Sequence, residues 1–291
     1  MNERIEAFLA YLQAERNLSP NTVSAYRNDL LQFAEHMHAE AQLQGGTDFA
    51  PSTIDREQIT GHFLHLRDRG YSAASIARKT AALRSFFQYL RRIGEVASDP
   101  TQGIGSPEVK KPLPRTIEDN HVQALLAHLE SRDTPEGSRD NAMLRLLSAT
   151  GMRVGELVTV DVGDIDLANG RVRVVGRGNR ERSLPVDEVT LASIKAYLDR
   201  ARPYLTRNAR DQTALVVNQR GQRLTRQGFW LIMKGLVREA GLPAMMTPHM
   251  LRHSFATHQI GEGLALEDLR QLLGHASIAT TQIYTQLPSA V

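Results

Sequence analysis

Apolar positions recur at helical spacing along most of the chain. Ile5, Phe8, Leu9 and Leu12 share one face of a first segment. Ser19-Pro20-Asn21-Thr22 restarts the pattern, with Ser19 placed to cap and Pro20 at the first helical position. Val23, Tyr26, Leu30, Leu31 and Phe33 carry it to about His38. A polar, glycine-containing stretch from Gln42 to Pro51 breaks it. A third helix is predicted from about Asp55 to Asp68 and a fourth from Ser72 to Arg92. No period-two alternation occurs in this part, so residues 1–95 read as a small all-α bundle.

Residues 96–115 hold four prolines and two glycines without periodicity, and read as a linker. From Thr116 the helical pattern returns, over Ile117 to Leu129 and Arg139 to Ala149. Short alternating runs follow. Val158 to Val162 is weak, whereas Arg171 to Val175 and Glu181 to Val186 alternate clearly around the turn Gly176-Arg177-Gly178-Asn179. Ala214 to Asn218 is a further candidate strand, and helices run on to the end. The pattern predicts a mainly α fold with a small antiparallel β-sheet, the sheet lying in a second domain over residues 116–291.

Charge changes this picture through its placement. The chain of 291 residues has 35 Lys plus Arg against 32 Asp plus Glu, a net of only +3. Five of the cations are lysines and thirty are arginines. Between Arg69 and Gly94 stand six cations (Arg69, Arg78, Lys79, Arg84, Arg91 and Arg92) and no acid. On a helix, such a run suits a phosphate backbone, with Arg78, Lys79 and Arg84 as candidate contacts. The hairpin adds Arg177, Arg180 and Arg182 at its tip. There is no cysteine, which excludes disulfides, thiolate metal sites and cysteine nucleophiles. No lysine follows a glycine, so a nucleotide P-loop is absent. The N-terminus lacks a signal-peptide apolar stretch and no run is long enough to span a membrane, so a cytoplasmic location without membrane contact is expected.

Three segments carry candidate chemistry. In Ala149-Thr150-Gly151-Met152-Arg153-Val154-Gly155-Glu156-Leu157, Arg153 lies at a helix start and Glu156 is placed to orient its guanidinium. In Thr247-Pro248-His249-Met250-Leu251-Arg252-His253, Thr247 suits the cap and Pro248 the first turn. His249 and Arg252 then share one face. His249 and His253 have the spacing of a zinc pair, but no third ligand is evident. In the third segment, Gly274 ends a helix, His275 follows, and Ser277 caps a predicted helix from Ile278 to about Gln286 that carries Tyr284. Together these residues suffice to attack a phosphodiester with a protein hydroxyl. Arginines neutralise the phosphate, histidines move protons, and a tyrosine supplies the nucleophile, with no metal or other cofactor required.

The order of Arg in ATGMRVGEL, the G-x-G-N-x-E-R hairpin, His-x-x-Arg in TPHMLRHSFATH, a later LGH and Tyr in TTQIYTQL resembles the tyrosine recombinase, or phage integrase, family. Within it the chain is similar to the bacterial Xer type, and the N-terminal LSPNTVSAYRNDLLQF extends the resemblance over nearly the whole length. The resemblance implies a core-binding domain (residues 1–95) and a catalytic domain (residues 116–291) forming a C-shaped clamp around a double-stranded DNA recombination site. It implies a catalytic set of Arg153, Arg177, His249, Arg252, His275 and Tyr284, with Tyr284 as nucleophile forming a 3′-phosphotyrosyl link. DNA contacts are expected at Arg78, Lys79, Arg84, Arg180 and Arg182. It also implies a tetramer with itself or a paralogous recombinase, cooperation with a DNA translocase, and chromosome-dimer resolution at cell division.

Two departures stand out. The family motif reads G-K-G-N-K-E-R, and its first lysine is thought to protonate the leaving 5′-oxygen; here Arg177 and Arg180 replace both lysines. A guanidinium stabilises a developing alkoxide but gives up a proton poorly. The chain also ends at Val291, seven residues after Tyr284, where relatives continue into a helix that packs on a neighbouring protomer. Alternatives are a phage or mobile-element integrase of the same family, a non-catalytic site-specific DNA-binding protein, and a metal-dependent hydrolase built on His249 and His253.

Overall fold

In the computed structural model the described residues are 1–16, 18–43, 45, 50–107, 119–209 and 212–285, with the backbone alone for Asp119 and Arg177. The chain divides into two compact units, Met1–Lys111 and Pro112–Val291.

The first unit consists of α1 (Asn2–Ala14), α2 (Pro20–Leu43), α3 (Arg56–Asp68) and α4 (Ala73–Arg92). The expected stripe is the buried one. Ile5, Phe8, Leu9 and Leu12 of α1 pack with Val23, Leu30 and Phe33 of α2 and with Leu83, Phe86, Phe87 and Leu90 of α4. Side-chain caps fix the helix starts. The Thr22 amide donates to Ser19 Oγ (3.2 Å), Gln58 to Asp55 (2.8 Å) and Ser75 to Ser72 Oγ (3.2 Å). Helix α2 runs past the expected end at His38, and residues 44 and 46–49 of the expected break lie outside the described residues. The start of the expected linker packs with this unit. Val96 is buried in its core, and Arg84 and Arg56 donate to the carbonyls of Ile104 (2.8 Å) and Gly103 (3.2 Å). Residues 108–115 of that linker, and residues 117–118 of the helix expected after it, are outside the described residues. Between α2 and α3, His36 stacks on His65 at 4.3 Å, and its Nδ1 lies 3.2 Å from Nδ1 of the buried His62.

The second unit begins with α5 (Asp119–Glu130), α6 (Pro135–Thr150) and the single turn α7 (Val154–Leu157). Helix α6 starts earlier than Arg139 because Thr134 caps it and Pro135 fills its first position. An antiparallel sheet follows in the order β1 (Ile165–Asp166), β2 (Arg171–Val175) and β3 (Glu181–Pro185). Val172 pairs with Leu184 and Val174 with Arg182, so Arg182 lies on the face that Val172, Val174 and Leu184 bury. Then come α8 (Glu188–Ala196), a π-helical turn (Tyr197–Ala201), α9 (Arg202–Thr206), α10 (Arg226–Glu239), α11 (Pro248–Gly261) and α12 (Leu266–Leu273).

Three expectations change here. Val158 to Val162 and Ala214 to Asn218 form no strands; they meet at the single bridge Asp161–Ala214, flanked by amide bonds from Val162 to Thr213 and from Leu215 to Val160 (both 2.9 Å). A helical turn closes at Leu157 and another opens at Val162, leaving too little extended chain for a ladder. Strand β1 was not foreseen, because two residues carry no period. The expected helix from Ile278 to Gln286 is instead two 3₁₀ turns, Ile278–Thr280 and Gln282–Tyr284. They break at Thr281, whose buried hydroxyl turns inward to His275, and Gln286 lies outside the described residues. No helix among the described residues is long and apolar enough to cross a membrane.

Candidate active site

The site gathers around two glycines in left-handed conformation. Gly151 (φ 59°) ends α6, and a Cβ there would stand 2.3 Å from the Phe255 ring. Gly274 (φ 62°) ends α12, and a Cβ there would stand 2.9 Å from the Arg182 guanidinium. Both positions therefore need glycine for conformation and for space.

Arg252, from the second turn of α11, is buried between them. It donates to the Gly151 carbonyl (2.7 Å), to the Leu273 carbonyl (2.7 Å) and to His275 Nε2 (2.9 Å). A guanidinium has no acceptor, so Nε2 of His275 accepts and its proton resides on Nδ1, which donates to Thr281 Oγ1 (2.9 Å). Burial, then the cations Arg252, Arg153 and Arg182, hold this imidazole down at about 4. His275 is thus a neutral prop for Arg252. The expectation that it shuttles protons beside His249 does not suit this bonding. Burial and the neighbouring Arg153 bring Arg252 down to about 10, leaving it charged at neutral pH.

Arg153 stands at the start of α7 with its side chain 35% exposed. Its amide donates to Glu156 (2.7 Å), and its guanidinium donates to Glu156 (3.1 Å) and to the Gly274 carbonyl (3.2 Å). Glu156 is buried. Burial alone would raise its carboxyl, but the bonds from Arg182 and the Arg153 amide outweigh that and hold it low, as an anion.

Tyr284 lies in the second 3₁₀ turn, packed against Ala256, Leu269 and Leu273. Its ring centroid is 5.0 Å from that of His253 and 6.4 Å from that of His275, the latter pair nearly parallel. Burial pushes its hydroxyl up, while Arg252 and Arg153 draw it down. The structure therefore brings Arg153, Arg252, His275 and Tyr284 together. His249, in the first turn of α11, is exposed. His253 is buried, and its Nε2 has no hydrogen-bond partner among the described residues. No cluster of three or more His, Asp or Glu suited to a metal occurs among the described residues. The Arg177 side chain lies outside the described residues; its backbone sits in the hairpin turn, with Gly178 (φ 70°) and Asn179 (φ 57°) left-handed.

The expected DNA contacts divide. Arg180 is exposed. Lys79 is not a free cation. It is 6% exposed and donates to Asp29 (2.8 Å) across the gap between α4 and α2. Arg78 also pairs with Asp29, and Arg84 is half-buried on the Ile104 carbonyl. Arg92 lies over the Tyr11 ring (4.2 Å) and near Glu15 (3.5 Å). Within α4, Arg78 and Lys79 therefore share one acid of α2, and Arg92 meets the acid just after α1. Arg182 is corrected most. It leaves the hairpin tip for the interior, gripping both oxygens of Glu156 (2.8 and 2.9 Å) and the Leu272 carbonyl (2.8 Å).

Two buried imidazoles set a pH dependence. His275 titrates at about 4 and His62 at about 3, in both cases chiefly through burial, whereas an unfolded histidine titrates near 6.5. As pH falls below about 6.5 the unfolded chain takes up the proton first, so stability present above that value is lost on acidification. Each histidine contributes a slope of about 1.4 kcal/mol per pH unit until its folded value is reached. Urea unfolding between pH 8 and 4.5 should give a midpoint that is level above about 6.5 and falls below it. A midpoint that stays level down to pH 5 would contradict these assignments.

Residues 115–290 match the family model described as the phage integrase family, and residues 5–94 match that of the phage integrase N-terminal SAM-like domain. Tyrosine recombinase XerC of Herpetosiphon aurantiacus is 46% identical over 287 residues, covering 99% of this chain and 91% of that protein. Tyrosine recombinase XerD of Listeria monocytogenes is 43% identical over 287 residues, covering 99% and 95%. Among solved structures, the XerH site-specific recombinase bound to its difH substrate before cleavage superposes with a TM-score of 0.73 at 23% identity, covering 99% of this chain and 81% of that one.

Proposed function

The chain belongs to the phage integrase family of tyrosine recombinases and is a site-specific DNA recombinase, and on that premise we propose that Tyr284 cuts and rejoins double-stranded DNA. Tyr284 Oη attacks the scissile phosphorus and loses its proton. The bond to the 5′-oxygen breaks, leaving a 3′-phosphotyrosyl link and a 5′-hydroxyl. The 5′-hydroxyl of a partner duplex then attacks that link and releases the tyrosine. Arg153 and Arg252 hold the non-bridging oxygens, His249 assists proton movement, and Arg177 hydrogen-bonds the leaving oxygen. Arg180 contacts the backbone. The reaction takes place on the DNA in a tetramer of this chain or of this chain with a paralogue. Its task is chromosome-dimer resolution at cell division, with a DNA translocase assisting. The Xer-type relatives, similar over nearly the whole chain, support this reading over a mobile-element integrase.

The observation that carries the proposal is the convergence of Arg153, Arg252 and Tyr284 within one bonded cluster. The test is a nicked suicide duplex bearing a site selected from random sequence by binding to the protein. A protein–DNA adduct stable on a denaturing gel supports the reading; a bound duplex without an adduct refutes it. Arg177 has its own test. Arg177→Ala is expected to cleave this duplex more slowly than the parent, and Arg177→Lys faster, since an ammonium is the better acid. Equal rates for Arg177→Ala and the parent would remove Arg177 from the mechanism.

A further inference from the structure

Four consecutive carbonyls at the end of α12 each accept from a different arginine: Leu272 from Arg182 (2.8 Å), Leu273 from Arg252 (2.7 Å), Gly274 from Arg153 (3.2 Å) and His275 from Arg270 (2.9 Å). The helix ends there, so these carbonyls carry the negative pole and lack helical partners. One backbone segment therefore sets the positions of both arginines assigned to the phosphate. Arg182 ties this row to everything else. It comes from β3, on the buried face of the sheet, and its fork grips both oxygens of Glu156 while its Nε–H holds Leu272. Glu156 in turn holds the amide and the guanidinium of Arg153. The base of the hairpin rests on the same pair. A Cβ at Gly176, the residue before Arg177, would stand 3.3 Å from the Arg182 guanidinium and 3.4 Å from the Glu156 carboxylate.

We infer that Arg182 is a positioning residue for DNA cleavage: through Glu156 and the Leu272 carbonyl it fixes the Arg153–Arg252 pair and the base of the Arg177 hairpin in one register. It touches no reacting atom. Lysine cannot replace it, because an ammonium lacks the planar fork that spans a carboxylate and still donates a third bond sideways. The inference rests on the proposed role of Arg153 and Arg252 at the phosphate.

The test compares the parent, Arg182→Gln, Arg182→Lys and Arg153→Ala on two suicide duplexes under single-turnover conditions. One duplex has an ordinary scissile phosphate. The other has a methylphosphonate there, which is neutral and asks less of the arginines. Arg182→Gln is expected to slow cleavage of the ordinary phosphate by about 10- to 100-fold, as a misplaced catalytic group does, with affinity for the duplex as in the parent. Most of that deficit should vanish on the methylphosphonate, as it should for Arg153→Ala. Arg182→Lys should fall between parent and Gln with the same substrate dependence, and serves alone if the Gln variant does not fold. Equal deficits on both duplexes, or a deficit matched by lost binding, would make Arg182 a merely structural residue and overturn the inference. A parent that cleaves neither duplex would overturn the underlying reading of Arg153 and Arg252 instead.

Discussion

Replacing Arg252 with alanine is expected to slow single-turnover DNA cleavage by about 10²–10³-fold, the usual cost of losing one preorganised charge donor at a developing oxyanion. The expectation rests on how Arg252 is held. It is buried, its partners are the carbonyls of Gly151 and Leu273, the ring of His275 and the Tyr284 hydroxyl, and no carboxylate hydrogen-bonds it among the described residues. Its charge is thus fixed in place and available to an incoming phosphate. The same bonds make the residue structural, since alanine leaves two carbonyls and an imidazole nitrogen without donors, at about 1–3 kcal/mol for each group that stays buried. Arg252→Lys separates the two effects. It keeps the charge but not the fork, so it should unfold at a higher urea concentration than the alanine variant and still cleave well below the parent. Parent-like cleavage by either variant would refute the assignment.

The helices were legible because their signals are local. Ile5, Phe8, Leu9 and Leu12 repeat within a single turn or two, and Ser19, Asp55 and Ser72 cap from three residues away. The site residues that came together, Arg153, Arg252, His275 and Tyr284, were legible from motif order. What was not legible depends on partners distant in sequence. Asp29 stands fifty positions from Lys79, and Glu156 twenty-six from Arg182, so an acid-free run and a basic hairpin tip both read as free surface. For Arg182 a local clue existed. The alternation that predicts the strand places residue 182 on the same face as Leu184 and Val186, both buried. The carbonyl row at 272–275 has no counterpart in side-chain pattern at all, because main-chain acceptors are the same at every residue. Thr281 was missed for a similar reason. Its bond to His275 bends the chain into two 3₁₀ turns where apolar spacing alone allowed a helix.

Replacing Tyr284 with phenylalanine is expected to abolish the covalent adduct while leaving fold and DNA binding intact. The ring is the part that packs, against Ala256, Leu269 and Leu273 and beside His253 and His275, and phenylalanine keeps it. Only the hydroxyl is lost, and with it the only atom to which the proposal assigns the bond to phosphorus. The most direct measurement combines this variant with mapping of the adduct. The parent is trapped on the suicide duplex, the DNA is digested to a short remnant, and the modified peptide is sequenced by mass spectrometry. A nucleotide remnant on Tyr284 in the parent, and no adduct with Tyr284→Phe, is the expected result. An adduct on another residue, or one that persists in Tyr284→Phe, would contradict it.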